Sequence, residues 1–122
     1  LKVEARTKLY KTDVDKFCFG KYDLIVSNPP YISKFDLKYL EIDVAKYEPR
    51  LALDGGLDGL SVIRKVINKT SELLKKNGKF ILEIGFDQKN KVIKLLNNKG
   101  FYINSSVKDL ANNDRCIVST KI

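Results

Sequence analysis

The sequence predicts an α/β protein whose sheet is mostly parallel and finishes in an antiparallel hairpin. Short β-branched apolar runs alternate with amphipathic stretches of helical period, which is the pattern of strands joined by crossover helices. The last two apolar runs are joined only by Lys108–Arg115, too short for a crossover helix, so that pair must be antiparallel. The run Tyr22–Ser27 ends abruptly in Asn28-Pro29-Pro30-Tyr31. This reads as a buried strand whose chain leaves the sheet at its carboxyl end, where ligands bind in open α/β sheets.

Leu1–Lys21 is the least patterned stretch. Thr7–Lys11 alternates weakly as a strand would, with Asp13-Val14-Asp15 as its exit loop, and no glycine-rich turn precedes it. After Tyr22–Ser27 comes a site loop, Asn28–Ser33. Lys34–Gly59 shows no single period, and Glu48-Pro49-Arg50 running into Asp54-Gly55-Gly56-Leu57-Asp58-Gly59 marks a long structured loop. Leu60–Lys76 predicts a helix, with Leu60, Ile63, Val66, Ile67, Leu73 and Leu74 on one face and Gly78 as its cap. Lys79–Gly85 predicts a second buried strand. Asp87–Lys99 predicts a second helix, carried by Val92, Leu95 and Leu96 and stopped by Gly100. Phe101–Val107 and Cys116–Lys121 are the remaining strands.

With 122 residues the chain is one domain at most, and its 43% hydrophobic and 31% charged content is ordinary for a globular protein. No apolar run reaches membrane-spanning length and no signal-peptide pattern opens the chain, so a cytoplasmic location is the default expectation. The absence of histidine excludes a histidine base. Cys18 and Cys116 have neither metal-ligand spacing nor the density of a disulfide scaffold, so no metal site is expected. They read as inert small residues. The net charge of +8 fits an acidic partner such as RNA. Its lysines are dispersed and its arginines are only Arg6, Arg50, Arg64 and Arg115, which favours a solubility role.

Pro29 and Pro30 lack N–H groups and push the residues before them towards extended geometry. The loop therefore presents carbonyl oxygens and one side-chain amide beside an aromatic ring. Such a set suits a planar NH2 group: oxygens accept its two hydrogens while Tyr31 covers its face.

Asn-Pro-Pro-Tyr at a strand end resembles the signature of Class I, Rossmann-like S-adenosylmethionine-dependent methyltransferases that act on a planar nitrogen. The motif alone leaves open adenine N6, cytosine N4, guanine N2 in ribosomal RNA, or a glutamine amide. The stretch Asp43-Val44-Ala45-Lys46-Tyr47-Glu48-Pro49-Arg50-Leu51-Ala52-Leu53-Asp54-Gly55-Gly56-Leu57-Asp58-Gly59-Leu60 is similar to the segment found in release factor glutamine N5-methyltransferases, the HemK or PrmC family. Leu82-Glu83-Ile84-Gly85 and Lys108-Asp109-Leu110-Ala111-Asn112-Asn113-Asp114-Arg115 also resemble that family.

The resemblance implies methyl transfer from S-adenosylmethionine to a glutamine N5 in a peptide chain release factor. It makes Asn28, Pro29, Pro30 and Tyr31 the catalytic and substrate-binding set. Glu48 joins them at the substrate loop, although Glu48 and Arg50 equally read as an exposed ion pair. Asp13, Val14 and Asn28 become the cofactor contacts, with an ordinary polar turn at Asp13-Val14 the equal alternative. Glu83 reads as a satisfied structural carboxylate. The family's glycine-rich cofactor turn and the acidic residue that holds the ribose have no counterpart. Residues 1–122 are thus expected to be the carboxyl-terminal part of one catalytic domain, binding cofactor weakly and inactive alone. The alternatives are a nucleic-acid amino-methyltransferase and a non-catalytic protein-binding remnant. In the Class I fold the strand Tyr22–Ser27 has a neighbour that this chain lacks, so its open edge predicts either a dimer or a cover formed by Leu1–Lys11.

Overall fold

The structure is a computed structural model that describes residues 3–29 and 59–122. Strand β1 (Tyr22–Ser27) is followed, after the intervening stretch, by helix α1 (Ser61–Leu73), strand β2 (Leu74–Glu83), helix α2 (Lys89–Asn98), and strands β3 (Phe101–Lys108) and β4 (Asp114–Lys121). The sheet order is β1-β2-β4-β3. β1 and β2 are parallel, while β4 runs antiparallel to both of its neighbours. Three strands therefore point one way, and β4 enters between β2 and β3 in reverse. The expected mixed architecture is present.

The core forms where the helices cover one face of this sheet. Ile63, Val66, Ile67 and Thr70 of α1 and Val92 and Leu96 of α2 are buried. They meet Phe80, Leu82, Ile84, Phe101 and Ile117, all at most 2% exposed. Phe80 and Phe101 pack with ring centroids 5.7 Å apart. Pleating turns Leu24 and Val26 to the other face, where they are 54% and 66% exposed. Among the described residues no helix covers that face.

Helix α1 is shorter than its periodicity predicts. Leu74 already has φ −86° and ψ 134°, so the chain enters β2 directly. The step from Tyr22 to Leu24 in β1 is matched by the longer step from Leu74 to Lys79, a bulge that contains Asn77 at φ 69°. Gly78 is therefore a packing glycine inside a strand, not a helix cap. A Cβ there would lie 2.8 Å from Leu74 Cγ and from the Lys75 carbonyl oxygen. The carbonyls left open at the end of α1 are satisfied from outside the helix. Lys121 Nζ donates to the Ser71 and Leu74 carbonyls, and Lys21 Nζ donates to that of Glu72.

The amino-terminal stretch departs from expectation as well. Thr7–Lys11 forms no strand; the local structure is two 3₁₀ turns, Glu4–Arg6 and Val14–Lys16. An isolated extended stretch has nothing to satisfy its backbone groups, so weak alternation alone does not make a strand. Aromatic packing holds the segment instead. Tyr10 lies 5.2 Å from Phe17 and 5.6 Å from Phe19, and the Tyr22 hydroxyl donates to the Phe19 carbonyl at 2.7 Å. The segment thus lies near β1 without pairing with it, and the expected cover by Leu1–Lys11 does not form through the described residues 3–11.

Candidate active site

The register of β1 against β2 ends with Ser27 beside Leu82, so Asn28 and Pro29 leave the sheet where β2 approaches its own carboxyl end. Asn28 is exposed and Pro29 is buried. The proline ring anchors the turn in the protein while the preceding amide side chain stays accessible to a ligand. Pro30, Tyr31 and Glu48 lie outside the described residues, as does the stretch Asp43–Asp58 that carries much of the family resemblance.

Two further devices stand at this end of the sheet. The β3–β4 turn lies there because β4 runs antiparallel to β2, with Glu83 beside Cys116. Asp109 organises the turn. Its Oδ1 accepts from the Ala111 and Asn113 amides at 2.9 and 3.0 Å, and its Oδ2 accepts from Arg115 Nε and a terminal guanidinium nitrogen at 3.2 and 3.0 Å. The Asn113 amide and the Arg115 guanidinium hold the Asp109 carboxyl below its usual range. Asn112 takes φ 66° within the turn, a conformation that asparagine tolerates. Arg115 then fixes β2, its carbonyl accepting from the Ile84 amide at 2.8 Å.

The second device is Gln88, which is only 4% exposed. Its backbone N–H donates to the Gly85 carbonyl at 3.1 Å, and its Oε1 accepts from the Gly85 amide at 2.8 Å. Its Nε2 donates to the Gly59 carbonyl at 3.0 Å. One side chain thereby joins the end of β2 to Gly59, next to the buried Leu60. Gln88 is not among the candidate residues legible in the sequence. Its spacing, three residues after a glycine at a strand end and immediately before a helix, is the only sequence signal, and it is also common in ordinary turns.

The expected cofactor contacts are not gathered in one place. Val14 lines a cavity of about 500 Å³ with Tyr10, Phe17, Leu24, Val26 and Leu73. Asp13 and Asn28 do not line it; Asp13 is exposed and pairs with Lys16 at 4.0 Å. The cavity is a groove under the open side of β1, and no carboxylate lines it. Thr12, Ser27, Lys69 and Thr70 also line it, so the wall is mixed, with one cation and, among the described residues, no carboxylate for the ribose hydroxyls of S-adenosylmethionine. Glu83 is half-buried, and Cys18 and Cys116 are free thiols.

A parallel pair joined by a helix, with a reversed strand inserted beside it, is a sheet pattern shared with solved methyltransferases. A methyltransferase from Pyrococcus furiosus superposes with a TM-score of 0.59 over 85% of this chain and 43% of its own, at 20% identity, which establishes likeness of fold. The protein-(glutamine-N5) methyltransferase (release factor-specific) of Alicyclobacillus acidocaldarius superposes with a TM-score of 0.50 at 28% identity, over 83% of this chain and 49% of its own. The release factor glutamine methyltransferase of Clostridium botulinum is 46% identical over 101 residues, which is 83% of this chain and 36% of that protein. No family model matches the chain. This chain belongs to the release factor glutamine methyltransferase family and spans about a third of the length of the curated relatives it matches.

Proposed function

We propose that this chain carries the acceptor half of a release factor glutamine methyltransferase, a cytoplasmic enzyme that transfers a methyl group to the side-chain N5 of a glutamine. The observation that carries the reading is the strand end itself: an exposed Asn28 amide directly before a buried Pro29, at the carboxyl end of β1, in a chain of this family.

An amide nitrogen is a poor nucleophile because its lone pair is delocalised into the carbonyl. The site supplies geometry in place of a strong base. The Asn28 side-chain oxygen and the Pro29 carbonyl each accept one N–H of the substrate amide, which aims the nitrogen lone pair away from them and favours a tetrahedral nitrogen. The same oxygens stabilise positive charge as it develops on nitrogen, before the proton leaves. The family resemblance adds Pro30 and Tyr31 to the set and assigns Glu48 to substrate binding. S-adenosylmethionine would supply the electrophilic methyl group; Val14 would face its adenine side, whereas Asp13 and Asn28 lie outside the groove that Val14 lines. Binding by this chain alone is weak, because its sequence has no counterpart of the family's glycine-rich turn or of the acidic residue that holds the ribose.

The runner-up acceptor is a nucleic-acid base, favoured by the +8 charge. Replacing the matching portion of the Clostridium botulinum relative with this chain, then assaying release factor, DNA and ribosomal RNA side by side with labelled methyl donor, separates the two. Label on release factor alone supports the proposal, and label on nucleic acid alone overturns it. The open side of β1 is a further partner site. Among the described residues no strand pairs with it, and a second copy of the chain is its proposed occupant.

A further inference from the structure

Helices α1 and α2 cover one face of the sheet, and the strand registers fix what stands on the other. Across its middle run Val26, Ile81 and Val118, each opposite the next on adjacent strands. On one side of this row lie Lys79, Thr120 and Tyr102, and on the other Glu83, Cys116 and Val107, again in register. Pleating puts these residues on the face away from the buried Phe80, Leu82, Ile117 and Ser119. Val26, Tyr102 and Val107 are exposed there, and Ile81 and Val118 are half-buried.

A row of branched apolar side chains across a sheet is a surface against which a second sheet packs. The charges on β2 say which sheet. Lys79 and Glu83 stand two residues to either side of Ile81, on the same face and opposite in sign. Lys79 Nζ donates to Thr120 Oγ1, and among the described residues Glu83 has no partner. A two-fold axis lying between two copies, along the central row, lays β2 antiparallel over the partner's β2. Lys79 then meets the partner's Glu83 at both ends, while Val26, Ile81 and Val118 each meet their own counterparts. The same rotation sets Tyr102 towards the partner's Val107. An axis along the strands would instead set Lys79 on Lys79 and Glu83 on Glu83, which like charges oppose. The face is thus complementary to itself in one orientation.

We propose that this face is the contact surface of a homodimer, two sheets stacked about that axis with Lys79–Glu83 pairs closing an apolar centre. The contact is separate from the open side of β1, because β2 lies inside the sheet. A four-stranded face is small for an interface, so the dimer forms at roughly micromolar concentrations or above.

Sedimentation equilibrium on the 122-residue chain tests it, with Lys79→Glu, Glu83→Lys and the double variant alongside. Circular dichroism checks that each is folded. Each single reversal brings like charges together at both ends of the dimer and weakens association at least about tenfold. The double variant restores opposite signs and returns to within about threefold of wild type. Loss in the single variants without recovery in the double variant would overturn the pairing. Equal association in wild type and both single variants belongs to the open side of β1 and would overturn the face, as would a wild type monomeric up to about 1 mM. A second measurement needs no substitution. In an equal mixture of isotope-labelled and unlabelled chain, filtered nuclear magnetic resonance shows contacts between copies among the Ile81 and Val118 methyl groups. A dimer without those contacts would overturn the proposal.

Discussion

Gly78→Ala tests whether the bulge in the first half of β2 is a precise joint or a loose connection. A Cβ at Gly78 would lie 2.8 Å from Leu74 Cγ, Leu74 Cδ1 and the Lys75 carbonyl oxygen. Comfortable carbon contacts lie near 3.5–4.0 Å, so the overlap is about 0.7 Å or more. Leu74 is 1% exposed and holds a core position, and the Lys75 oxygen is backbone, so neither yields freely. Overpacking of this kind costs about 1–3 kcal/mol. A loss of about 2 kcal/mol lowers Tm by roughly 8 °C in a chain of this size. The β1–β2 register resumes at Leu24 and Lys79, immediately after the joint, so the strain passes to the strand that carries Asn28. Thermal and urea unfolding followed by far-ultraviolet circular dichroism measure the change. Gly100→Ala is the control: no atom lies within 4 Å of its Cβ, but φ is +83°, so it costs about 1 kcal/mol through the backbone alone. A Gly78→Ala loss below about 0.5 kcal/mol would refute the steric reasoning, since that is the range of an ordinary surface change.

Three other perturbations address separate parts of the structure. Lys121→Met removes the donor that serves the Ser71 and Leu74 carbonyls, and urea unfolding should show a loss of about 1–2 kcal/mol. Asp109 has a carboxyl pKa held below its unfolded value, so its stabilisation is present above that value and is lost as pH falls through the folded one. Asp109→Asn should therefore be less stable than wild type at pH 7, with the gap narrowing below about pH 4; a gap independent of pH would exclude the charge as its source. Val26→Lys places a charge on the exposed face of β1, and sedimentation should show self-association of the wild type that the variant lacks. Wild type that remains monomeric at high concentration would contradict pairing through that edge.

Sequence and structure agree where a local pattern and a tertiary contact ask for the same thing. Tyr22–Ser27 has the predicted strand limits because β-branched content and two prolines fix both its character and its stop. The buried faces of α1 and α2 follow from helical period. The end of α1 was not legible, because the residues that decide it, Lys121 and Lys21, come from opposite ends of the chain. Gly78 resembled a cap for the same reason: a glycine that prevents a clash with Leu74 and one that ends a helix look alike in one dimension. Thr7–Lys11 alternated like a strand, but alternation cannot supply a pairing partner. At the site, Asn28 and Pro29 were legible as a proline-stiffened strand end. Gln88 was not, since its importance depends on Gly59, which only the fold brings beside Gly85.

The acceptor assignment at Asn28 is tested most directly by Asn28→Ala in the chimera with the Clostridium botulinum relative. Single-turnover transfer of labelled methyl to release factor is the measurement. The account predicts a fall of about 100-fold in the transfer rate, the usual worth of one aimed polar group at a reacting centre, with the amount of folded protein unchanged. Transfer by Asn28→Ala within about twofold of the unsubstituted chimera would contradict it.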